Sequence, residues 1–187
     1  MKVIQTRLPE VLIVEPAVYP DSRGLFFESW NRDRYEKAGI KCGWVQDNVS
    51  ISTKGVLRGL HFQNPDSQAK LVQAIEGEIF DVAVDIRKGS PGFGQWVGYN
   101  LSSENRRQLF IPRGFAHGFI VLSDRAVVSY KCDDLFVGSS GGHVLWSDPD
   151  IAIEWPMEGA PLLSEKDAAA PLLKDLPASV CPVYERA

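Results

Sequence analysis

Short runs of branched and aromatic residues, interrupted by Gly, Pro, Asn or Ser, dominate residues 44–132. This pattern predicts strands over 44–51, 56–62, 69–75, 79–87, 95–101, 108–111, 119–122 and 126–132. The clearest alternation is Ile79-Phe80-Asp81-Val82-Ala83-Val84-Asp85-Ile86. It places Phe80, Val82, Val84 and Ile86 on one face and Asp81, Ala83 and Asp85 on the other. Earlier strands are expected over 11–14 and 25–30, with a turn at 20–24, where Pro, Asp, Ser and Gly follow one another. Asn31 is placed to cap a short helix through Ala38, with Gly39 as its stop. Later come a small-residue loop at 138–142 and a short strand at 151–153. Ser164-Glu165-Lys166-Asp167 has the composition of a helix start and leads into a helix over 167–173. Many short strands with few helices predict an all-β sandwich or barrel.

At 187 residues the chain is one domain, or one domain with appendages, long enough to bury a substantial core. We assign residues 1–177 to that domain and 178–187 to a weakly patterned C-terminal tail. The net charge of −4 argues against a general nucleic-acid or anionic-membrane surface. The three cysteines, Cys42, Cys132 and Cys181, are widely spaced and form no CxxC pair. They suggest neither a disulfide framework nor a zinc knuckle, and they fit a reducing cytoplasm. The N-terminal residues show no signal-peptide core, and the apolar run at 11–14 is too short to cross a bilayer.

Chemistry concentrates around Leu57-Arg58-Gly59-Leu60-His61-Phe62-Gln63. Histidine has the unperturbed pKa nearest neutrality and is the usual proton-transfer residue. Arg58 and the later Lys70 are suited to an anionic substrate or an oxyanion. On residue types alone, a hydrogen-bonded core histidine explains His61 equally well. A second histidine stretch is Pro112-Arg113-Gly114-Phe115-Ala116-His117-Gly118-Phe119, an arrangement similar to strand entries in cupin-type barrels. Cupins often bind metal through two histidines one residue apart, a carboxylate and a later histidine. Here position 63 is Gln63, and His143 lies in a glycine-rich loop without an evident partner. Three ligands are hard to assemble, so the expectation is no metal. Tyr130, on a late strand, reads by itself as a core residue.

Several segments in register carry a resemblance to the dTDP-4-dehydrorhamnose 3,5-epimerase family. They are Asp21-Ser22-Arg23-Gly24-Leu25-Phe26-Phe27-Glu28, Val45-Gln46-Asp47-Asn48, the 57–63 block, Lys70-Leu71-Val72 and the 112–119 block. Tyr130-Lys131, Trp146-Ser147-Asp148-Pro149 and Leu163-Ser164-Glu165-Lys166-Asp167 follow in order. The match runs from about residue 3 to about residue 177. The resemblance implies a cupin-like jelly roll, a homodimer and no cofactor. It implies a base at His61 oriented by Asp167, and a proton donor at Tyr130 on the opposite face of the sugar. It carries substrate contacts to Arg23, Glu28, Gln46, Asp47, Asn48, Arg58, Lys70, His117 and Lys166. Glu28 and Lys166, without the motif, read as surface charges.

These residue types suit the chemistry. In a 4-keto sugar the hydrogens at C3 and C5 lie α to a carbonyl, and removing one leaves an enolate. Lys70 or Arg58 near the ketone oxygen would stabilise that charge. A carboxylate bonded to His61 would set its tautomer. A phenol whose pKa is lowered by neighbouring cations would return the proton from the other face. For Arg58 and His61 to share a cavity despite strand alternation, Gly59 must mark a bulge or bend.

The chain departs from the family after Lys131. Leu135-Phe136 stands where a pair of aromatics ending in tyrosine is usual, so Phe136 can stack on the base but lacks the hydroxyl. The loop Gly138-Ser139-Ser140-Gly141-Gly142-His143 has neither the usual acid nor the Arg-Gly pair. The expected activity is 3,5-epimerisation of dTDP-4-dehydro-6-deoxy-D-glucose. The competing readings are a single-centre epimerase acting at C3 or C5, a non-catalytic sugar-binding β-sandwich, and a metal-dependent cupin.

Overall fold

The computed structural model describes residues 1–184; the last residues of the expected tail, 185–187, lie outside the described residues. Thirteen strands and two short α-helices make up the regular structure of the described residues. The strands are β1 (Lys2–Gln5), β2 (Leu12–Glu15), β3 (Val18–Asp21), β4 (Gly24–Phe27), β5 (Gln46–Thr53), β6 (Leu57–Gln63) and β7 (Lys70–Glu76), followed by β8 (Glu78–Asp85), β9 (Trp96–Ser102), β10 (Gln108–Ile111), β11 (Phe115–Val121), β12 (Arg125–Cys132) and β13 (Gly141–His143). The helices are α1 (Arg32–Lys37) and α2 (Glu165–Ala168). The strands form an antiparallel six-stranded sheet in the order β1-β2-β10-β7-β12-β5 and an antiparallel five-stranded sheet in the order β13-β6-β11-β8-β9. β3 and β4 pair only with each other, as a separate hairpin. The architecture is the expected all-β, cupin-like sandwich.

The alternation read in β8 explains the layering. Ile79 and Ala83 point between the sheets, where they join Val72, Leu109, Val128 and Phe119 in the main core. Val82 and Val84 point to the other side of the five-stranded sheet, where the C-terminal arm covers them with Ile151, Leu173 and Trp155. A third cluster lies over the six-stranded sheet, where Tyr35 of α1 and Ile40 meet Val14, Leu71 and Phe110. Burying an aliphatic or aromatic side chain contributes about 1.5–3 kcal/mol, so both outer coverings are substantial. Asn31 caps α1 as expected, its side chain accepting from Arg34 N.

Several elements differ from the expectation. Residues 2–5 form a strand, held as an edge by β2. Most of the turn expected at 20–24 is instead strand, because β3 and β4 close around Ser22 and Arg23 alone. β11 begins at Phe115 rather than 119, so His117 lies within the strand. No strand forms at 151–153, where Ala152 takes a φ of +52°. The 138–142 stretch is a 3-10 turn followed by β13, which pairs with β6. The helix expected over 167–173 is instead α2, with a separate 3-10 turn at Leu173–Asp175. Pro171 lies between them and cannot continue a helix.

Candidate active site

A cavity of about 360 Å³ opens between the two sheets. That is large enough for part of a drug-sized ligand. One wall comes from β6, with Arg58, His61, Phe62 and Gln63, and from His117 and Phe119 of β11. The facing wall comes from β5, with Gln46, Asn48 and Ser50, from Lys70 at the start of β7, and from Tyr130 of β12. Phe136 stands at the rim, 66% exposed.

Local geometry explains how one strand presents both Arg58 and His61. The pairing of β11 with β6 slips by one residue, from His117↔His61 to Phe119↔Arg58. Gly59 sits in the slip at a φ of +134°. An alanine Cβ there would lie 2.5 Å from Gly118 Cα and 2.9 Å from the His117 carbonyl oxygen. Only glycine tolerates both the angle and the approach. The expected irregularity at Gly59 is therefore present, and it turns two residues of opposite parity into one cavity.

His61 Nε2 donates to Asp167 Oδ1 at 2.6 Å, across 106 residues of chain. The C-terminal arm carries the carboxylate there. Val144 exchanges backbone hydrogen bonds with Leu60, and Asp148 accepts from the backbone N–H groups of Asp150, Ile151 and Leu173. At the start of α2, Ser164 Oγ accepts from Asp167 N, the capping expected from the sequence. Burial opposes the charge on Asp167, but the His61 hydrogen bond and charge, with help from Ser164 and His143, outweigh it. The carboxyl therefore lies below its ordinary range. An ionised carboxylate can only accept, so Nε2 carries the proton and the free lone pair of neutral His61 is on Nδ1.

A second imidazole–carboxylate pair lies deeper, where His117 Nε2 meets Asp81 Oδ1 at 2.7 Å. Asp81 was not foreseen as a site residue. Its signal was present as an acid on the inward-facing side of a strand whose neighbours are all apolar. Burial raises the Asp81 pKa, against the opposing effects of His117 and Lys70. Burial lowers the Lys70 pKa, opposed by nearby acidic groups that include Asp81.

Tyr130 departs from expectation in one respect. Its pKa is raised, not lowered, because burial outweighs the nearby Arg58 guanidinium. The phenol stays protonated at neutral pH, which keeps it able to donate. Its ring lies 6.4 Å from that of His117. Gln46 Oε1 accepts from Phe136 N and its amide donates to Asn48 Oδ1. Gln63, read from the sequence as the residue that displaces a metal ligand, instead fastens the 135–137 segment. Its side chain accepts from Val137 N and donates to Leu135 O.

Four expected contact residues are absent from the lining of this cavity. Asp47 points to the opposite face of β5, where Lys131 Nζ lies 3.0 Å away. Arg23, its side chain 88% exposed, pairs with Asp21 at the tip of the β3–β4 hairpin. Glu28 bonds Asn31 and Arg34. Lys166 lies on the exposed side of α2. In the other direction, His143 does have neighbours. β13 places it opposite His61, with ring centroids 4.8 Å apart, and its Nδ1 is 3.5 Å from Asp167 Oδ1. The expectation that three ligand-type groups would not assemble is corrected. Donor atoms of His61, His143 and Asp167 lie within 4.8 Å of one another. Strand pairing and the returning C-terminal arm bring them together, and neither is visible in linear spacing.

Comparison with known proteins agrees with the geometry. A family model described as dTDP-4-dehydrorhamnose 3,5-epimerase matches residues 5–175. The dTDP-4-dehydrorhamnose 3,5-epimerase of Salmonella typhimurium is 59% identical over 175 residues, covering 92% of this chain and 96% of that protein. The crystal structure of the dTDP-6-deoxy-D-glucose-3,5-epimerase of Legionella pneumophila, in complex with dTDP-4-keto-L-rhamnose, superimposes with a TM-score of 0.97. It is 52% identical and covers 99% of each chain. A 3'-monoepimerase from Streptomyces bikiniensis, in complex with dTDP-quinovose, is 32% identical with a TM-score of 0.89, covering 96% of this chain and 92% of its own.

Proposed function

The chain belongs to the dTDP-4-dehydrorhamnose 3,5-epimerase family, and on that premise we propose that it converts dTDP-4-dehydro-6-deoxy-D-glucose to dTDP-4-dehydro-L-rhamnose. The observation that carries the reading is that His61, held by Asp167, shares one cavity with Tyr130, Arg58 and Lys70. His61 Nδ1 takes the hydrogen α to the ketone as a proton, and the electron pair of that C–H bond moves into an enolate. Arg58 and Lys70 stabilise the enolate oxygen through their positive charge. Asp167 orients the ring and stabilises the imidazolium that forms. Tyr130 returns a proton from the opposite face, which inverts the centre. The same cycle serves C3 and C5. Gln46, Asn48 and His117 bind the nucleotide-sugar, and Phe136 stacks on the thymine.

Arg23 and Glu28 enter this reading through a second copy of the chain. The β3–β4 hairpin exposes Tyr19, Leu25 and Phe26, and the outer face of β5 exposes Val49 and Ile51. Apolar surface of this extent suits burial in a homodimer, in which the hairpin of one protomer brings Arg23 and Glu28 to the cavity of its partner. We read residues 1–177 as one epimerase domain working in the cytoplasm. Three cysteines without a disulfide fit that compartment, and no helix among the described residues is long and apolar enough to cross a membrane.

Incubating the protein with dTDP-4-dehydro-6-deoxy-D-glucose in deuterium oxide tests the assignment. Deuterium is expected at both C3 and C5, and its absence from both would refute the enzyme reading. Incorporation at one carbon alone would select the single-centre alternative, which the altered 138–143 segment and the likeness to a monoepimerase keep in view.

A further inference from the structure

His143 has no place in the proton-transfer scheme, yet the fold aims it at the centre of that scheme. β13 sets it directly across from His61. The two rings meet edge to face, at an interplanar angle of 79°. Its Nδ1 is buried and makes no hydrogen bond. An unsatisfied buried nitrogen calls for an explanation. The nearest acceptor is Asp167 Oδ1, at 3.5 Å, and that oxygen is already engaged by His61 Nε2 at 2.6 Å. Two imidazole nitrogens and one carboxylate oxygen thus converge on a common space.

That donor set is one that zinc accepts. Zinc ligands lie about 2.0–2.2 Å from the ion, so tetrahedral donors are separated by roughly 3.3–3.5 Å. The His143–Asp167 distance already has this value. The His61–Asp167 distance must open by less than about 1 Å to reach it, and the remaining donor separation, within 4.8 Å, must close by up to about 1.5 Å. The side chains of His61 and His143 are 43% and 35% exposed, so an ion can enter past the two rings although His143 Nδ1 itself is buried. Two histidines and one carboxylate also suit zinc or another late first-row cation by ligand type.

We propose that His61, His143 and Asp167 form a Zn²⁺ site whose occupation switches the enzyme off. Zinc takes the Nε2 lone pair of neutral His61, and the ring's single N–H proton then resides on Nδ1. Nδ1 is the nitrogen that receives the substrate proton, so the base has no lone pair left to offer. Zinc also takes Asp167 out of its orienting hydrogen bond. No oxidation or bond cleavage is involved, and chelation reverses the effect. The inhibitory half rests on His61 being the base, whereas the binding half stands on geometry alone.

Equilibrium dialysis of the chelator-treated full chain against ZnCl₂, without substrate, tests the binding half. One zinc per chain is expected, weakened by roughly tenfold or more in His143→Ser. His143→Gln provides a second, bulkier variant, and dTDP binding by each variant shows that it is folded. Zinc binding at full strength in both variants, or none in the wild type, would overturn the site. The inhibition half is read from deuterium exchange: zinc should stop it in the wild type, EDTA should restore it, and each His143 variant should keep its own zinc-free rate. Bound zinc that leaves wild-type exchange unchanged would overturn the switch. A protein that is inactive before zinc is added would count against the epimerase assignment instead, and dialysis would still judge the site.

Discussion

Replacing Asp167 by asparagine conserves shape and removes charge at the point on which the base depends. The wild-type side chain is 5% exposed, and its Oδ1 receives His61 Nε2 at 2.6 Å. Asparagine can present its amide N–H₂ to Nε2, which places the ring proton on Nδ1 and abolishes the base. The orienting carboxylate of a catalytic histidine contributes up to about 10⁴ in rate. The expected loss in kcat is therefore roughly a hundredfold to ten-thousandfold, or about 3–5 kcal/mol at 1.36 kcal/mol per decade. Losing a charge-assisted hydrogen bond should also cost about 1.5–3 kcal/mol of stability. That stability term has a defined pH dependence. The folded carboxyl titrates below its ordinary value, so its contribution is complete above about pH 5 and fades as the pH falls through the folded-state pKa. The wild-type advantage over Asp167→Asn in urea unfolding should accordingly be constant from neutrality down to about pH 5 and shrink below about pH 4. Initial-rate deuterium exchange gives the catalytic loss, and calorimetry with dTDP gives the binding. A kcat within tenfold of wild type, or a loss appearing only as weaker dTDP binding, would refute the orienting role.

Tyrosinate absorbance, taken as the difference between wild type and Tyr130→Phe, should show Tyr130 ionising above its ordinary value of 10.0, because burial outweighs Arg58; a midpoint below that value would show that cations control the phenol. Mixing Arg23→Ala with His61→Ala, each nearly inactive alone, should restore about a quarter of wild-type activity if the hairpin acts across a two-fold dimer, since about half the dimers then carry one intact site. No recovery after subunit exchange would place Arg23 in its own protomer's site or outside catalysis. Gly59→Ala should destabilise by about 2–6 kcal/mol, combining left-handed strain with overpacking against Gly118, and should lower the urea midpoint. Gly43→Ala, where a Cβ meets nothing within 4 Å, should change it by less than about 0.5 kcal/mol.

The sequence alone determined the all-β class, the alternation of faces in β8, and the Asn31 and Ser164 caps, and its motifs named the residues proposed for the proton transfer. Each is legible because its cause is local: strand alternation has period two, a cap acts over three residues, and a motif keeps its order along the chain. Even the irregularity at Gly59 was legible, since Arg58 and His61 cannot otherwise face the same way. Tertiary structure decided the rest. The slip between β6 and β11, the return of the C-terminal arm that brings Asp167 to His61, and the arrival of His143 on β13 all depend on pairings between distant segments. So does burial, which raises the Tyr130 phenol where local charge suggested the reverse. The departure of Asp47 to the outer face follows the same alternation that sends Gln46 and Asn48 inward, but which face is inward is set by the sheet that covers it. Local pattern specifies how a strand divides its side chains; only the packed neighbours specify what each half meets.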